Sequence, residues 1–193
     1  MTHTAIQIVV ISHDRPANKL LSRWLARQGV DWRYSSYDYD VGEVRCQAVT
    51  RFLEEDVPRG KTHLLLIDDD MVPVEGSDAI LTADGDMIYL GTSGPFGTHG
   101  HYGDGDWGEN FCRMSADLLR RMAYPFFKTQ YRRGVRVACD GAIFRTQAEV
   151  LGVTSKMVGL AGHQQQCILV PQLNGTAVGY AVKWPHEIDR EQR

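Results

Sequence analysis

The first half of the chain alternates short apolar runs with segments whose apolar residues recur at helical spacing. The runs IQIVVIS, HLLLID and MIYLGTS have the length of buried strands, and DWRYSSYD is typical of a further strand. The resulting order is βαβαβαβ. It predicts an α/β domain with a mostly parallel, Rossmann-like central sheet flanked by helices. In such a sheet the ligand site lies beyond the carboxyl ends of the strands.

Length and composition are those of one globular domain, with 193 residues, 43% hydrophobic and 23% charged. We expect this domain over residues 1–183 and a frayed C-terminal tail over 184–193. The apolar runs are strand-sized and no signal-like segment opens the chain, so we expect no membrane span and a cytoplasmic protein. The four cysteines form no CxxC pair, which argues against a zinc ribbon or disulfide framework. A net charge of -3 gives no overall nucleic-acid signature.

Three adjacent aspartates, Asp68, Asp69 and Asp70, follow the apolar run of residues 64–67. Adjacent like charges repel one another, and a bound cation relieves that repulsion. In an Asp-x-Asp pair at a strand end, one carboxylate can hold a divalent cation while the other reaches a ribose hydroxyl or a metal-bound water. The cation then bridges the phosphates of a nucleotide diphosphate. An acidic triplet can also be a helix cap or a solvated loop, but its place after a core strand favours the metal site.

A glycine-rich stretch follows, with seven glycines between residues 91 and 108. It is too rich in glycine for a helix and too long for a tight turn, so we expect a mobile active-site loop that acts as a lid. The alternative is a second metal site on its histidines and aspartates. These are His99, His101, Asp104 and Asp106.

Basic and aromatic residues interleave between Asp117 and Asp140, where no acid occurs. This pattern fits either a solvated basic edge with aromatics in the core, or a surface for an anionic acceptor such as nucleic acid. The basic residues are Arg120, Arg121, Lys128, Arg132, Arg133 and Arg136.

Several segments together resemble a small GT-A glycosyltransferase, family 2-like, of the kind often encoded by phages and bacteria. They are ISHDRP, VGEVRCQAVTRFLEED, THLLLIDDDM, GENFCRMSADLLRRM, ACDGAIFRTQAEVLG and a late GH pair, and the resemblance covers about residues 5–165. It implies a GT-A-like fold with a nucleotide-binding half at 1–90 and an acceptor-binding, metal-completing half at 91–183. It also implies a nucleotide-sugar donor, usually a UDP-sugar, and Mn²⁺ or Mg²⁺.

The same resemblance implies roles for individual residues. Asp70 and His163 would be the metal ligands, a carboxylate and imidazole set that suits Mn²⁺. Asp140 would be the catalytic base; Cys139 stands where the family commonly has a second acid, and Asp140 could also cap the helix that follows it. The donor site would comprise Ser12, His13, Arg45, Asp68 and Asp69. The acceptor site would comprise Trp107, Asn110, Arg132 and Arg133. The acceptor itself is left open between a hydroxymethylated base in phage DNA and a glycan.

Two other functions fit parts of the sequence. LLLIDDDMV also matches the nucleophile motif of haloacid dehalogenase-like phosphatases, with Asp68 as nucleophile and Asp70 as acid. That family needs a lysine before a downstream acidic pair, and none occurs between Ser93 and Asp104. The second alternative is a non-catalytic module of the same fold that binds a partner or nucleic acid.

Overall fold

The structure is a computed structural model, and it describes residues 5–12, 16–36, 40–94, 97–99, 110–132, 135–138, 140–163, 168–174 and 177–183. Its helices are α1 (Lys19–Gln28), α2 (Val41–Arg51), α3 (Ala79–Thr82), α4 (Ala116–Arg121) and α5 (Asp140–Val150). Helix α2 runs on into a π-helical turn (Phe52–Asp56) and a 3-10 turn (Val57–Arg59). None of the helices in these ranges is both long enough and apolar enough to cross a membrane.

The strands include the four that the alternation predicted and several short ones. They are β1 (Ile6–Ser12), β2 (Trp32–Ser36), β3 (His63–Asp68), β4 (Met71–Pro73), β5 (Met87–Gly94), β6 (Gly97–His99), β7 (Phe111–Ser115), β8 (Gln130–Arg132), β9 (Val135–Ala138), β10 (Lys156–His163), β11 (Ile168–Asn174) and β12 (Ala177–Lys183). Strands β8 with β9 and β11 with β12 form separate antiparallel pairs.

The main sheet has the strand order β2-β1-β3-β7-β5-β10-β4, with β6 paired to β5. Strand β1 is parallel to both β2 and β3, and β5 is parallel to β10. Strand β7 lies between these two parallel groups and is antiparallel to β3 and to β5. The α/β class predicted from the alternation is confirmed.

Both faces of the sheet are covered by helices, which explains the continuous apolar runs. On one face, alternate residues of β1 and β3 such as Val9 and Leu66 pack in a cluster with residues of α2, α4 and α5. On the other face, residues such as Val10 and Leu65 pack in a second cluster with α1 and α3. The carboxyl ends of β1 and β3 thus lie side by side on a sheet held rigid from both sides.

Candidate functional site

The three aspartates lie at the carboxyl end of β3. Asp68 is the last residue of that strand, Asp69 and Asp70 form a turn, and β4 begins at Met71. Ile11 of β1 is the register partner of Asp68, so Ser12 ends its strand beside the turn. The triplet therefore occupies the edge of the sheet at which a site was predicted.

Asp68 is held by an arginine from the neighbouring helix. The Nη2 atom of Arg45 lies 2.8 Å from both carboxylate oxygens of Asp68 and 3.3 Å from the side-chain oxygen of Asn110. Arg45 is almost fully buried, whereas the Asp68 side chain keeps 20% of its surface exposed. The backbone of Asn110 also accepts a hydrogen bond from the Asp68 N–H at 2.8 Å. The structure thus brings together two predicted donor residues, and it adds Asn110, which the sequence had placed on the acceptor side.

Phe127 completes the surroundings of Arg45. The guanidinium lies 5.9 Å from the centroid of the Phe127 ring, within the range of a cation–π contact. Phe127 stacks on Phe144 with a centroid distance of 4.7 Å, and its backbone N and O each lie 3.2 Å from the Sγ atom of Cys46. Arg45 is therefore held both by polar groups and by a fixed aromatic ring.

Asp69 points into the body of the protein. It is only 4% exposed, and its Oδ2 accepts a hydrogen bond from the Ser12 hydroxyl at 2.8 Å. Its N–H donates to the carbonyl oxygen of Ile11 at 2.9 Å. These contacts join the end of β1 to the turn after β3. They bring together Ser12 and Asp69, which the sequence had both assigned to the donor site, in a contact that fixes the turn.

Asp70 is the third carboxylate, and it is 5% exposed. The next residue, Met71, pairs across β4 and β10 with His163, so the two predicted metal ligands come from positions next to each other in the sheet. The side chain of His163 lies outside the described residues. The register nevertheless accounts for how a histidine more than ninety positions along the chain reaches the same sheet edge as Asp70.

The chemistry of these donors suits a hard divalent cation. Carboxylate oxygens are ligands that Mg²⁺ and Mn²⁺ accept, and both ions keep several waters or take phosphate oxygens in the remaining positions. Among the side chains that the structure describes, no group of three or more His, Cys, Asp or Glu residues forms a ready-made cage. Asp70 could therefore serve as one ligand of a cation whose other positions would be filled by water or a diphosphate.

Other predicted site residues fall wholly or partly outside the described part of the chain. His13, Trp107 and Arg133 lie outside it, as do His101, Asp104 and Asp106 of the proposed second metal site. Only the backbone is described for three further residues. Arg132 ends β8, His99 ends β6, and Asp140 is the first residue of α5.

A second polar cluster involves Arg113 in the middle of β7 and His63, the first residue of the neighbouring strand β3. Arg113 of β7 is fully buried, its guanidinium donates to the carbonyl of Ala83, and its Nε and Nη1 atoms have no hydrogen-bond partner. Burial lowers the pKa of Arg113. Burial first, and then the charge of Arg113, lower the pKa of the nearby His63. None of the hydrogen bonds described for Arg113 or His63 involves the three aspartates.

Sequence reasoning missed Asn18, which caps α1 and donates hydrogen bonds to the turn of the triplet. An asparagine one position before a helical segment is a recognisable cap signal. Its second contact joins residues more than fifty positions apart and has no local signature.

No protein-family model matches the chain, and neither does any curated protein. Among solved structures, A197 from STIV matches with a TM-score of 0.56 and 17% identity, over 83% of this chain and 87% of that chain. A glycosyltransferase involved in the glycosylation of the major capsid of PBCV-1 matches with a TM-score of 0.40 and 12% identity, over 60% of this chain and 62% of that chain. At these identities the likeness concerns the fold alone. The mixed α/β class of the chain, with helices on both faces of its central sheet, is the class that the sequence predicted.

Proposed function

We propose that the protein is a metal-dependent glycosyltransferase that moves a sugar from a nucleotide-sugar donor, a UDP-sugar, to an acceptor hydroxyl. We further propose that residues 1–183 are one catalytic domain, with the donor half at 1–90 and the acceptor half at 91–183. The four cysteines without a pair pattern favour action in the cytoplasm.

One observation carries the proposal: a built acidic site at the carboxyl end of a central strand. Asp68 is fixed by Arg45, Asp69 is fixed by Ser12, and the backbone after Asp70 pairs with His163. A turn stabilised only by solvation has no need of such a fixed arrangement. Ligands of open α/β sheets bind at this edge, so the position and the chemistry agree.

Each residue of the candidate site has a proposed role in the transfer reaction. Asp70 and His163 would hold Mn²⁺ or Mg²⁺, which supplies Lewis-acid stabilisation of the departing diphosphate when bound. Arg45 and Asp68 would supply a fixed polar wall for the ribose and diphosphate, and Ser12 and His13 would belong to the nucleotide side of the site. Asp140 would accept the proton of the acceptor hydroxyl as it attacks the anomeric carbon, which describes an inverting enzyme. A retaining route would not need this base.

Acceptor recognition falls to the second half of the chain. We assign it to Trp107, Arg132 and Arg133, and to Asn110 through its contact with Arg45. Phe126 and Phe127 are buried in the core, so a basic and aromatic surface would consist of the basic residues with the exposed Tyr124. It would suit a hydroxymethylated base in phage DNA, which must be reached in the groove or flipped out of the helix. A glycan is the alternative acceptor.

The contacts of Asp68 favour transfer over phosphatase chemistry. Both of its carboxylate oxygens lie within hydrogen-bonding distance of Arg45, so its electron density is already engaged by a guanidinium. A carboxylate that must attack phosphorus needs a free oxygen in line with the leaving group. Asp68 is therefore better suited to orientation than to nucleophilic attack.

Asp140→Asn tests the catalytic part of the proposal. Amide replaces carboxylate at nearly constant shape, so we expect unchanged UDP binding and a loss of transfer of about 10²-fold or more. Release of UDP from a UDP-sugar would be followed with hydroxymethylated DNA and with simple glycans as acceptors. Full activity of Asp140→Asn would remove it from the role of base. Nucleotide binding without turnover by the wild type, across all acceptors, would identify a non-catalytic binding module.

A further inference from the structure

Asn18 contacts the residues on both sides of Asp70. Its Nδ2 donates to the carbonyl oxygen of Met71 at 2.6 Å and to that of Asp69 at 3.3 Å. Its backbone N–H also donates to the Asp69 carbonyl at 3.0 Å. The carbonyl groups that flank Asp70 are therefore tied to one residue of a different element.

Asn18 is itself firmly held because it is the N-cap of α1. Its Oδ1 accepts hydrogen bonds from the N–H groups of Leu20 and Leu21, each at 3.0 Å. Helix α1 is in turn anchored in the core by Leu21, Trp24 and Leu25, which are at most 2% exposed. The turn that carries Asp70 is thus fastened to a helix packed against the sheet.

An amide is the group that this position requires. One end of the side chain must accept from helix N–H groups, and the other end must donate to two carbonyls, which also fixes the orientation of the amide. An ionised aspartate has no donor for the carbonyls. A serine retains a cap acceptor, but its hydroxyl is too short to reach across to both carbonyls. Asn18 therefore does more than cap a helix.

We propose that Asn18 is a positioning residue for Asp70 as a metal ligand. The inference rests on the proposed function, because it takes Asp70 as the ligand of Mn²⁺ in a nucleotide–metal site. With the carbonyls of Asp69 and Met71 held by Asn18, the turn that carries Asp70 is ordered before a cation binds, which lowers the free-energy cost of binding. Partners that orient a metal ligand in this way are typically worth 10- to 100-fold in metal affinity.

The test compares Mn²⁺ binding by Asn18→Ser and by Ser115→Ala. Each variant is titrated with Mn²⁺ in the presence of UDP, and free Mn²⁺ is measured by electron paramagnetic resonance. Serine is a good N-cap, so Asn18→Ser keeps the helix start and loses the contacts to the turn. Ser115 caps α4 at the opposite edge of the sheet, where it accepts from Leu118 and donates to Asp86. We expect Asn18→Ser to weaken Mn²⁺ binding about tenfold and Ser115→Ala to stay within about twofold of the wild type. Thermal melting of both variants would show that the weaker binding does not follow stability.

Two results would overturn the inference. The first is a Mn²⁺ affinity of Asn18→Ser within about twofold of the wild type. The second is an equal loss of Mn²⁺ affinity in Asn18→Ser and Ser115→Ala. Either result would show that Asn18 acts only as a helix cap. Asn18→Asp gives a second readout that does not depend on the first variant. Added negative charge strengthens Mn²⁺ binding, whereas loss of the donor weakens it, so weaker binding by Asn18→Asp would support the inference despite the opposing charge.

Asp70→Ala in the same titration separates this inference from the proposed function. Unchanged Mn²⁺ binding in Asp70→Ala would remove the metal site and with it the proposed function. Loss of Mn²⁺ binding in Asp70→Ala with normal Mn²⁺ binding in Asn18→Ser would contradict only the positioning role of Asn18.

Discussion

At the scale of single residues, the three aspartates differ in their surroundings although they are adjacent and identical. Asp68 faces a buried arginine, Asp69 accepts from Ser12, and Asp70 lies between carbonyls fixed by Asn18. The sequence predicted that the triplet forms one site. It could not predict this division, because each partner comes from a different part of the chain.

The pair of Arg45 and Asp68 should be strongly coupled. A double-mutant cycle of Arg45→Met and Asp68→Asn, measured by urea unfolding, should give a coupling energy of about 1–3 kcal/mol because Arg45 is buried and the pair is only partly screened. Arg51 and Glu55 offer a matched control, since they form an ion pair whose side chains are 55% and 44% exposed. The control cycle should give about 0.3–0.5 kcal/mol. Equal coupling in the two cycles would contradict the account.

His63 should make stability depend on pH. Its pKa in the folded protein lies below the ordinary value of 6.5, first because it is buried and then because Arg113 is near, while Asp86 and Asp117 act in the opposite direction. The unfolded chain therefore binds a proton at a higher pH than the folded protein does. The free energy of unfolding should fall as the pH decreases from 6.5 toward the lower folded pKa, and the full contribution is present above 6.5.

His63→Gln isolates this contribution. The variant should show a shallower fall in the free energy of unfolding between about pH 7 and 5 than the wild type, as measured by urea titration at each pH. Equal slopes in the two proteins would show that His63 titrates normally in the folded state.

At the scale of elements, strand β10 matters most because it brings His163 beside the turn. The strand contains a register shift between Met157 and Gly159, and a Cβ atom at Gly159 would lie 3.3 Å from the carbonyl oxygen of Gly76 and 3.2 Å from Leu90. The loop before α3 is also tied to β10, because the Ser77 hydroxyl donates to the Leu160 carbonyl at 2.9 Å. Close approach of two backbones thus sets the position of β10.

Gly159→Ala should destabilise the protein by about 1–2 kcal/mol, because the nearest backbone atom cannot move aside easily. Gly91→Ala is the matched control on the neighbouring strand. There the closest atom, at 2.6 Å, is the sulfur of Met157, which is half-exposed and can swing away. We expect a smaller loss for Gly91→Ala in thermal or urea unfolding. A loss as large as that of Gly159→Ala would contradict the argument from backbone contact.

Elements with a local sequence pattern could be predicted, whereas elements fixed by pairing between distant residues could not. The order of β1, α1, β2, α2 and β3 is visible in local apolar periodicity, and so is the helical segment that begins at Asp140. The insertion of β7 between β3 and β5 could not be predicted, because a strand's direction depends on pairing across the sheet rather than on its own residues. Strand β4, with three residues, is too short to give a pattern.

At the scale of the whole molecule, two packed faces hold a sheet whose carboxyl edge carries the acidic site. The position of that site was predictable from the general rule for α/β sheets. The contacts within the site could not be predicted, since they join residues at least fifty positions apart. Examples are Asn18 with Met71 and Arg45 with Asn110. The sequence thus indicated where the acidic triplet lies, and only the fold could show which carboxylate contacts which partner.

If the proposed function is right, the acidic triplet binds a nucleotide diphosphate together with a divalent cation. Calorimetric titration of UDP and a small panel of UDP- and GDP-sugars, with and without Mn²⁺, tests it on the wild type, Asp70→Ala and Asp117→Ala. Asp117 is an exposed aspartate on α4, so its removal changes the net charge equally at a distance from the triplet. We expect Mn²⁺-dependent nucleotide binding by the wild type and by Asp117→Ala, and none by Asp70→Ala. Equal binding by Asp70→Ala, or no nucleotide binding by the wild type, would contradict it.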